Sequence, residues 1–157
     1  MAVLTDAAIE SLIRQPKLLL DEYRDILLKD WKDVGSHRRS ELKVSGTEND
    51  VFIIYIRASN LNLFDFSAIL GYEQSAGKGL FLLRRYNGRS HAHTNRIEGN
   101  HFRDFHIHFA SERYQVRGFR EEAYAEVTNR YSDIGGALDC LIADCGFVLP
   151  TEEHPPF

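Results

Sequence analysis

The segment VFIIYIRAS, Val51 to Ser59, constrains this chain more than any other. It is β-branched and aromatic almost throughout. Both its faces stay apolar until Arg57, the composition of a strand buried in the middle of a sheet. A central strand needs neighbours on both sides, and the sequence offers them. RRSELKVSG precedes it, with Leu42 and Val44 on one face. LNLFDFSAILGYE follows, with Asp65 between Phe64 and Phe66, and then GLFLLRRY. Short polar links between these runs fit antiparallel hairpins better than crossover helices. One link, GYEQSAGKG, superficially has the glycines and lysine of a phosphate-binding loop. Its spacing is wrong: five residues separate Gly71 from Gly77, and Gly79 stands where a magnesium-holding Ser or Thr belongs. It reads as a hairpin turn.

The flanks change period. Thr5 or Asp6 can cap a helix carrying Ile9, Leu12 and Ile13. Pro16 marks the start of a second helix, with Leu19, Tyr23, Ile26, Leu27 and Trp31 as its stripe to about Lys32, ended by Gly35. Beyond the strands, DFHIHFA alternates cleanly and RYQVRG reads as a further short strand. Tyr124, Val127 and Tyr131 then fit one helix. Ile134, Ala137, Leu138, Leu141 and Ile142 fit another, closed by Gly146. The expectation is α+β: an antiparallel sheet of about five or six strands flanked by N-terminal and C-terminal helices. All 157 residues form one domain, with 150–157 a frayed tail.

No apolar run approaches a membrane span, and MAVLTDAAIE lacks the basic-then-apolar order of a secretory signal. A cytoplasmic protein is expected. Cys140 and Cys145 lie on different faces of the last helix and off the C-x-x-C spacing, so they read as reduced apolar residues.

The formal net charge of −4 hides an asymmetry. Residues 84–120 hold eight of the fourteen arginines, no lysine and three acids. Such a zone in an acidic chain points to a local anionic ligand rather than a general nucleic-acid coat, because the guanidinium fork suits phosphate and carboxylate. The same stretch holds five of the seven histidines, four of them in two H-x-H pairs, His91/His93 and His106/His108. Residues two apart on a strand share a face, so His106 and His108 project together, away from Phe105, Ile107 and Phe109. His91 and His93 do likewise if HAH is extended, and the short connection lets the pairs converge.

Two chemistries use such an arrangement. Histidines serve as general acid and base in phosphodiester cleavage while arginines hold the phosphate. RNA suits this, since its 2′-hydroxyl supplies the nucleophile without a metal. Here His106 and His108 come first as catalytic residues and His91 and His93 next; Arg96, Arg103, Arg113 and Tyr114 are the substrate contacts. Alternatively, His91, His93, His106 and His108 bind zinc for hydrolysis, although the arginines repel a metal ion. The structural alternative is a polar strand face without chemistry. His37 and His154 look incidental, and His101 is ambiguous.

The blocks HAHTN and FHIHFASERYQ, followed by YAEVT and GALDCLIADCGF, resemble those of small uncharacterised bacterial and prophage-borne proteins. The layout of helices, antiparallel meander and basic residues resembles small endoribonucleases of the barnase, EndoU and RelE type, which include toxins of toxin–antitoxin pairs. That resemblance implies RNA as substrate, no cofactor, a role as toxin or phage-defence component and a cognate antitoxin as partner. It extends to architecture, with no motif that assigns residues. A third expectation is a non-enzymatic inhibitor or binding module whose Arg-rich face grips an anionic partner.

Overall fold

The computed structural model describes residues 3–75 and 77–149; the expected frayed tail and His154 lie outside them. In chain order the elements are α1 (Asp6–Arg14), β1 (Lys17–Leu18), α2 (Tyr23–Leu28), β2 (Lys32–Val34), β3 (His37–Ser45), β4 (Val51–Ser59), β5 (Phe66–Glu73) and β6 (Leu80–Asn87). Then follow β7 (His93–Thr94), β8 (His101–Phe102), β9 (His106–Phe109), α3 (Glu112–Val116), β10 (Tyr124–Val127), α4 (Ile134–Asp144) and β11 (Phe147–Val148). The fold is α+β. A seven-stranded sheet runs β10-β9-β6-β5-β4-β3-β2, antiparallel at every pairing.

β4 lies inside the sheet between β3 and β5, as its double-sided apolar pattern requires. One face of the sheet carries Leu42, Val44, Phe52, Ile54, Ile56, Phe66, Ala68 and Leu70, all buried with Leu27 of α2 and Leu138 and Leu141 of α4. The other face presents Glu41, Tyr55, Arg57, Ser67, Arg85, Asn87, His106 and His108 along its strands. Among the described residues, no helix is long and apolar enough to cross a membrane.

Five expectations need correction. The sheet has seven strands because two unforeseen edge strands, β2 and β10, close it. α2 stops at Leu28, and Gly35 turns the β2–β3 hairpin at φ 63° rather than ending a helix. RYQV is helical, because the Ser111 side chain accepts from the Tyr114 N–H and caps α3. Tyr124 to Val127 is extended, because pairing along β9 outweighs an i, i+3 spacing that by chance resembles a helix. Pro16 likewise precedes a two-residue strand, not a helix.

That strand, β1, pairs in parallel with β11 and so brings the ends of α1 and α4 together. Gly146, at φ 75°, allows it: a Cβ there would lie 2.8 Å from the carbonyl oxygens of Gln15 and Ile13. At this junction Lys17 is wholly buried. Its Nζ donates to the carbonyls of Leu12, Ile13, Gln15 and Cys145 at 2.7–2.9 Å and sits 4.4 Å from the centroid of the Phe52 ring. Burial lowers its pKa to about 8, which leaves it an ammonium at neutral pH. The cation thus satisfies carbonyls from the C-terminal ends of both helices, where the macrodipole favours positive charge. Replacing it with methionine keeps the apolar stem but strips the carbonyls of their donor, at about 1–3 kcal/mol for each left unsatisfied. Lys17→Met is expected to lose about 3 kcal/mol or more of unfolding free energy in urea titration; a loss under about 1 kcal/mol would show that the carbonyls find other partners.

Candidate functional site

The site grows from the register of three strands. β9 lies between β6 and β10, and its pairing sets Asn87 opposite His106 and Arg85 opposite His108. Continued across the sheet, one row on the open face reads Arg57, Ser67, Asn87, His106. The next reads Tyr55, Ile69, Arg85, His108. A register shift at Leu70/Gly71 makes the β6 part possible. Phe81 and Leu83 are buried at odd positions, yet past the shift the buried residue is Tyr86, and Arg85 and Asn87 turn to the open face.

The excursion from Gly88 to Asp104, with the small β7–β8 hairpin, reaches over this face. Asn95 anchors it. The Asn95 side chain is buried, donates through Nδ2 to the Ala125 carbonyl at 2.8 Å and accepts through Oδ1 from the Ala125 N–H at 2.9 Å. A side-chain amide therefore supplies both bonds of a strand rung at the β10 edge, and the edge backbone is satisfied without another strand. The same Oδ1 lies 2.9 Å from His93 Nε2. An amide oxygen only accepts, so this nitrogen carries the proton.

Three imidazoles meet as a result. Ring centroids lie 5.5 Å apart for His93 and His106, 4.8 Å for His93 and His108, and 4.9 Å for His106 and His108. His106 Nδ1 donates to the Asp104 carbonyl and His108 Nδ1 to the Glu122 carbonyl, each at 2.8 Å. Every one of the three rings therefore spends one N–H on an oxygen, which fixes its tautomer when neutral and leaves the other nitrogen as an acceptor. His106 and His108 are only 4% and 8% exposed. Burial lowers the pKa of both, with neighbouring histidines and the Arg85 cation adding to the effect; His108 falls to about 3.

The three rings, with His91, line a polar cavity of about 190 Å³ whose wall also includes Arg57, Asp65, Ser67, Arg85, Asn87 and Ser90. Asn87 is oriented by two donors to its Oδ1, Ser67 Oγ at 2.7 Å and Arg85 Nε at 3.1 Å. Its Nδ2 consequently faces His106 Nε2, at 3.5 Å. Arg85 also pairs with the buried Glu122 at 3.2 Å. At the opposite wall Arg57 and His37 both contact Asp65, at 3.3 Å each. Burial would raise the Asp65 pKa, but the hydrogen bond from His37 and the charge of Arg57 outweigh it and hold the carboxyl below its ordinary value.

Both H-x-H pairs thus border one cavity. The named arginines do not. Arg113 pairs with Glu98, whose other oxygen accepts from Tyr114 Oη at 2.5 Å, and Tyr114 is a buried core residue. Arg96 is exposed on the β7–β8 link, and Arg103 donates to the Ser90 carbonyl at 3.0 Å. His101 is exposed, with Nδ1 2.7 Å from Thr94 Oγ1. The cationic groups of the cavity are Arg57 and Arg85 instead. His37, which looked incidental, and Ser67, Asn87, Asn95 and Glu122 were not singled out by sequence. Asp65, a lone acid between two phenylalanines, was the visible signal.

Among the described residues, no three His, Cys, Asp or Glu side chains are arranged to hold a metal ion. His93 and His106 stack with an interplanar angle of 17°. Comparison with known protein families, curated proteins and solved structures found no match.

A pH dependence follows from the buried rings. An unfolded histidine titrates near its ordinary 6.5, while folded His108 stays neutral down to about 3. Between those values the unfolded chain binds more protons, so stability is full above pH 6.5 and falls as the pH drops. The slope approaches about 1.4 kcal/mol per pH unit for each such group. Urea unfolding between pH 7.5 and 5.5, above most carboxylate titration, is expected to show this decline. In His108→Asn the decline should be shallower; an unchanged slope would mean that His108 is protonated in the folded protein.

Proposed function

We propose that the protein is a metal-independent phosphodiesterase acting on RNA. The observation that carries this reading is the cavity itself: three imidazoles of fixed tautomer, each with one free nitrogen, beside His91 and between Arg57 and Arg85. In the proposed reaction the ribose 2′-hydroxyl gives its proton to a neutral imidazole. The 2′-oxygen attacks phosphorus, a 2′,3′-cyclic phosphate forms, and the bond to the 5′-oxygen breaks. The leaving oxygen takes a proton from a second, cationic imidazole.

The environments favour a division of roles. His106 is the base: its Nε2 is unprotonated and faces Asn87, whose Nδ2 can also donate to a phosphate oxygen. His108, held neutral by burial, supports His106 and lines the floor; a pKa near 3 makes it a weak base and no acid at neutral pH. His91, exposed to water at the cavity, is assigned the part of the acid. His93 sits between them, positioned by Asn95. Arg57 and Arg85 hold the phosphate in competition with Asp65 and Glu122. Arg103, near Ser90, is the outlying cation for a longer substrate. Cytoplasmic RNA, and a protein antitoxin that blocks the cavity, complete the reading.

The test is cleavage of single-stranded RNA in the presence of chelator. His106→Ala is expected to lower kcat by about 10²–10⁴-fold while its circular dichroism and melting remain those of a folded protein. The acid-side limb of kcat/KM should fall below pH 6.5, because burial lowers the pKa of His106. Intact RNA that binds with steep salt dependence would instead support a binding module. Stoichiometric metal that is lost in His106→Ala would replace this mechanism with metal-assisted hydrolysis.

A further inference from the structure

A second hollow, of about 560 Å³, lies beside the histidine cavity. Arg57 lines both. Arg39, Tyr55 and Ile69 line the second from the open face of β3, β4 and β5, and Ile26 of α2 and Val34 of β2 add apolar wall. Lys32, Asp30 and Glu41 complete its charges. The two hollows differ in chemistry as well as size. The histidine cavity is polar and small. The second offers mostly apolar surface around one aromatic ring, with three cations against two acids.

The register explains why they adjoin. Tyr55 is in the same cross-strand row as Arg85 and His108, separated from Arg85 by Ile69 alone. Neighbouring strands are about 4.8 Å apart, so Tyr55 on β4 stands roughly 14 Å from His108 on β9. Alternation puts Ile54 and Ile56 into the core and leaves the Tyr55 ring half-buried on the open face. An aromatic ring held by a sheet, next to guanidinium groups that lead toward a phosphate-sized cavity, has the elements by which single strands are bound: a stacking platform beside cations that follow the backbone. A duplex keeps its bases stacked inside and offers no free base face to such a ring.

We infer that the Tyr55 hollow is a nucleobase subsite, in which a base of single-stranded RNA stacks on Tyr55 against Ile69 while Arg57 bridges to the phosphate that enters the histidine cavity. The inference rests on the phosphodiesterase reading for its choice of ligand. It fixes the substrate class as unpaired RNA of more than one nucleotide. Selection among bases falls to the polar rim, Arg39, Glu41 and Lys32.

The test separates binding from cleavage. The probe is a fluorescein-labelled 2′-O-methyl pentanucleotide, whose blocked 2′-oxygen cannot attack, together with analogues that carry one abasic residue at each position in turn. Wild-type protein is expected to bind the intact probe, and one abasic position should weaken binding about tenfold or more. Tyr55→Ala should bind the intact probe about tenfold more weakly and be indifferent to that abasic position. Tyr55→Phe should bind as wild type. Unchanged affinity in Tyr55→Ala, tolerance of every abasic position, or no binding of the intact probe overturns the subsite. The unblocked RNA is assayed alongside. Binding through Tyr55 without cleavage leaves the subsite standing and overturns the phosphodiesterase reading. Cleavage with KM and kcat unaltered in Tyr55→Ala overturns the subsite alone.

Discussion

The pairing of β6 with β9 is the constraint on which the rest of the site depends. Side chains alternate with a strict period of two, so one residue of slippage would exchange core and open faces. β9 is only four residues long, and Ile107 alone of them is a fully apolar core anchor. Its register is fixed from outside: by β10 on one edge, by β6 on the other, and by Tyr131 Oη, which lies 2.8 and 2.9 Å from the carbonyls of Asn87 and His106 and shares its one proton between them. That hydroxyl fastens the Asn87–His106 rung from beneath. The β5–β6 shift is the second requirement. Without it Arg85 and Asn87 would face Leu138 and Leu141, where an unpaired guanidinium and amide cannot be accommodated.

Packing three imidazoles together is costly unless they are neutral and hydrogen-bonded, and the fold supplies the hydrogen bonds from two backbone carbonyls and one side-chain amide. The carbonyls of Asp104 and Glu122 and the Asn95 amide take one N–H from each ring. Arg85, pinned between Asn87 and Glu122, holds a positive charge against His106 and His108 and disfavours their protonation. The cluster therefore resists acquiring charge until a ligand brings its own. An anionic phosphate would reverse the local balance, since it stabilises an imidazolium as Arg85 destabilises one. Such a coupling between ligand charge and proton affinity would distinguish the cluster from histidines that merely decorate a polar strand face.

Period-two patterning carried most of what could be read in advance. The central place of β4, the hairpins around it, the split of DFHIHFA into core and site faces, α1 and α4 were all legible, because each depends on neighbours close in sequence. The remainder depends on pairing at a distance. Tyr124 and Val127 satisfy helical spacing as well as strand alternation, and only β9 decides between them. RYQV alternates as a strand would, and the single turn of helix that Ser111 caps buries only Tyr114. The arginines were counted along the chain, whereas the cavity recruits across it: Arg57 from the end of the apolar run and Arg85 from past the register shift. Arg113, rich in local promise, is consumed by Glu98.

Arg57 ties these strands of argument together, because its partners cannot all be satisfied at once. Its Nη2 lies 2.8 Å from His37 Nε2, which must then be an acceptor, with the ring proton on Nδ1 facing Ser36 Oγ. Asp65, 3.3 Å from the same Nε2, wants a donor there. One protonation state serves Arg57 and the other serves Asp65. Were Arg57 drawn away by a ligand, the conflict would lapse, because the His37 tautomer with its proton on Nε2 could then donate to Asp65. A histidine outside the H-x-H pairs thereby acquires a physical reason to stand where it does, beside the one arginine that faces both hollows.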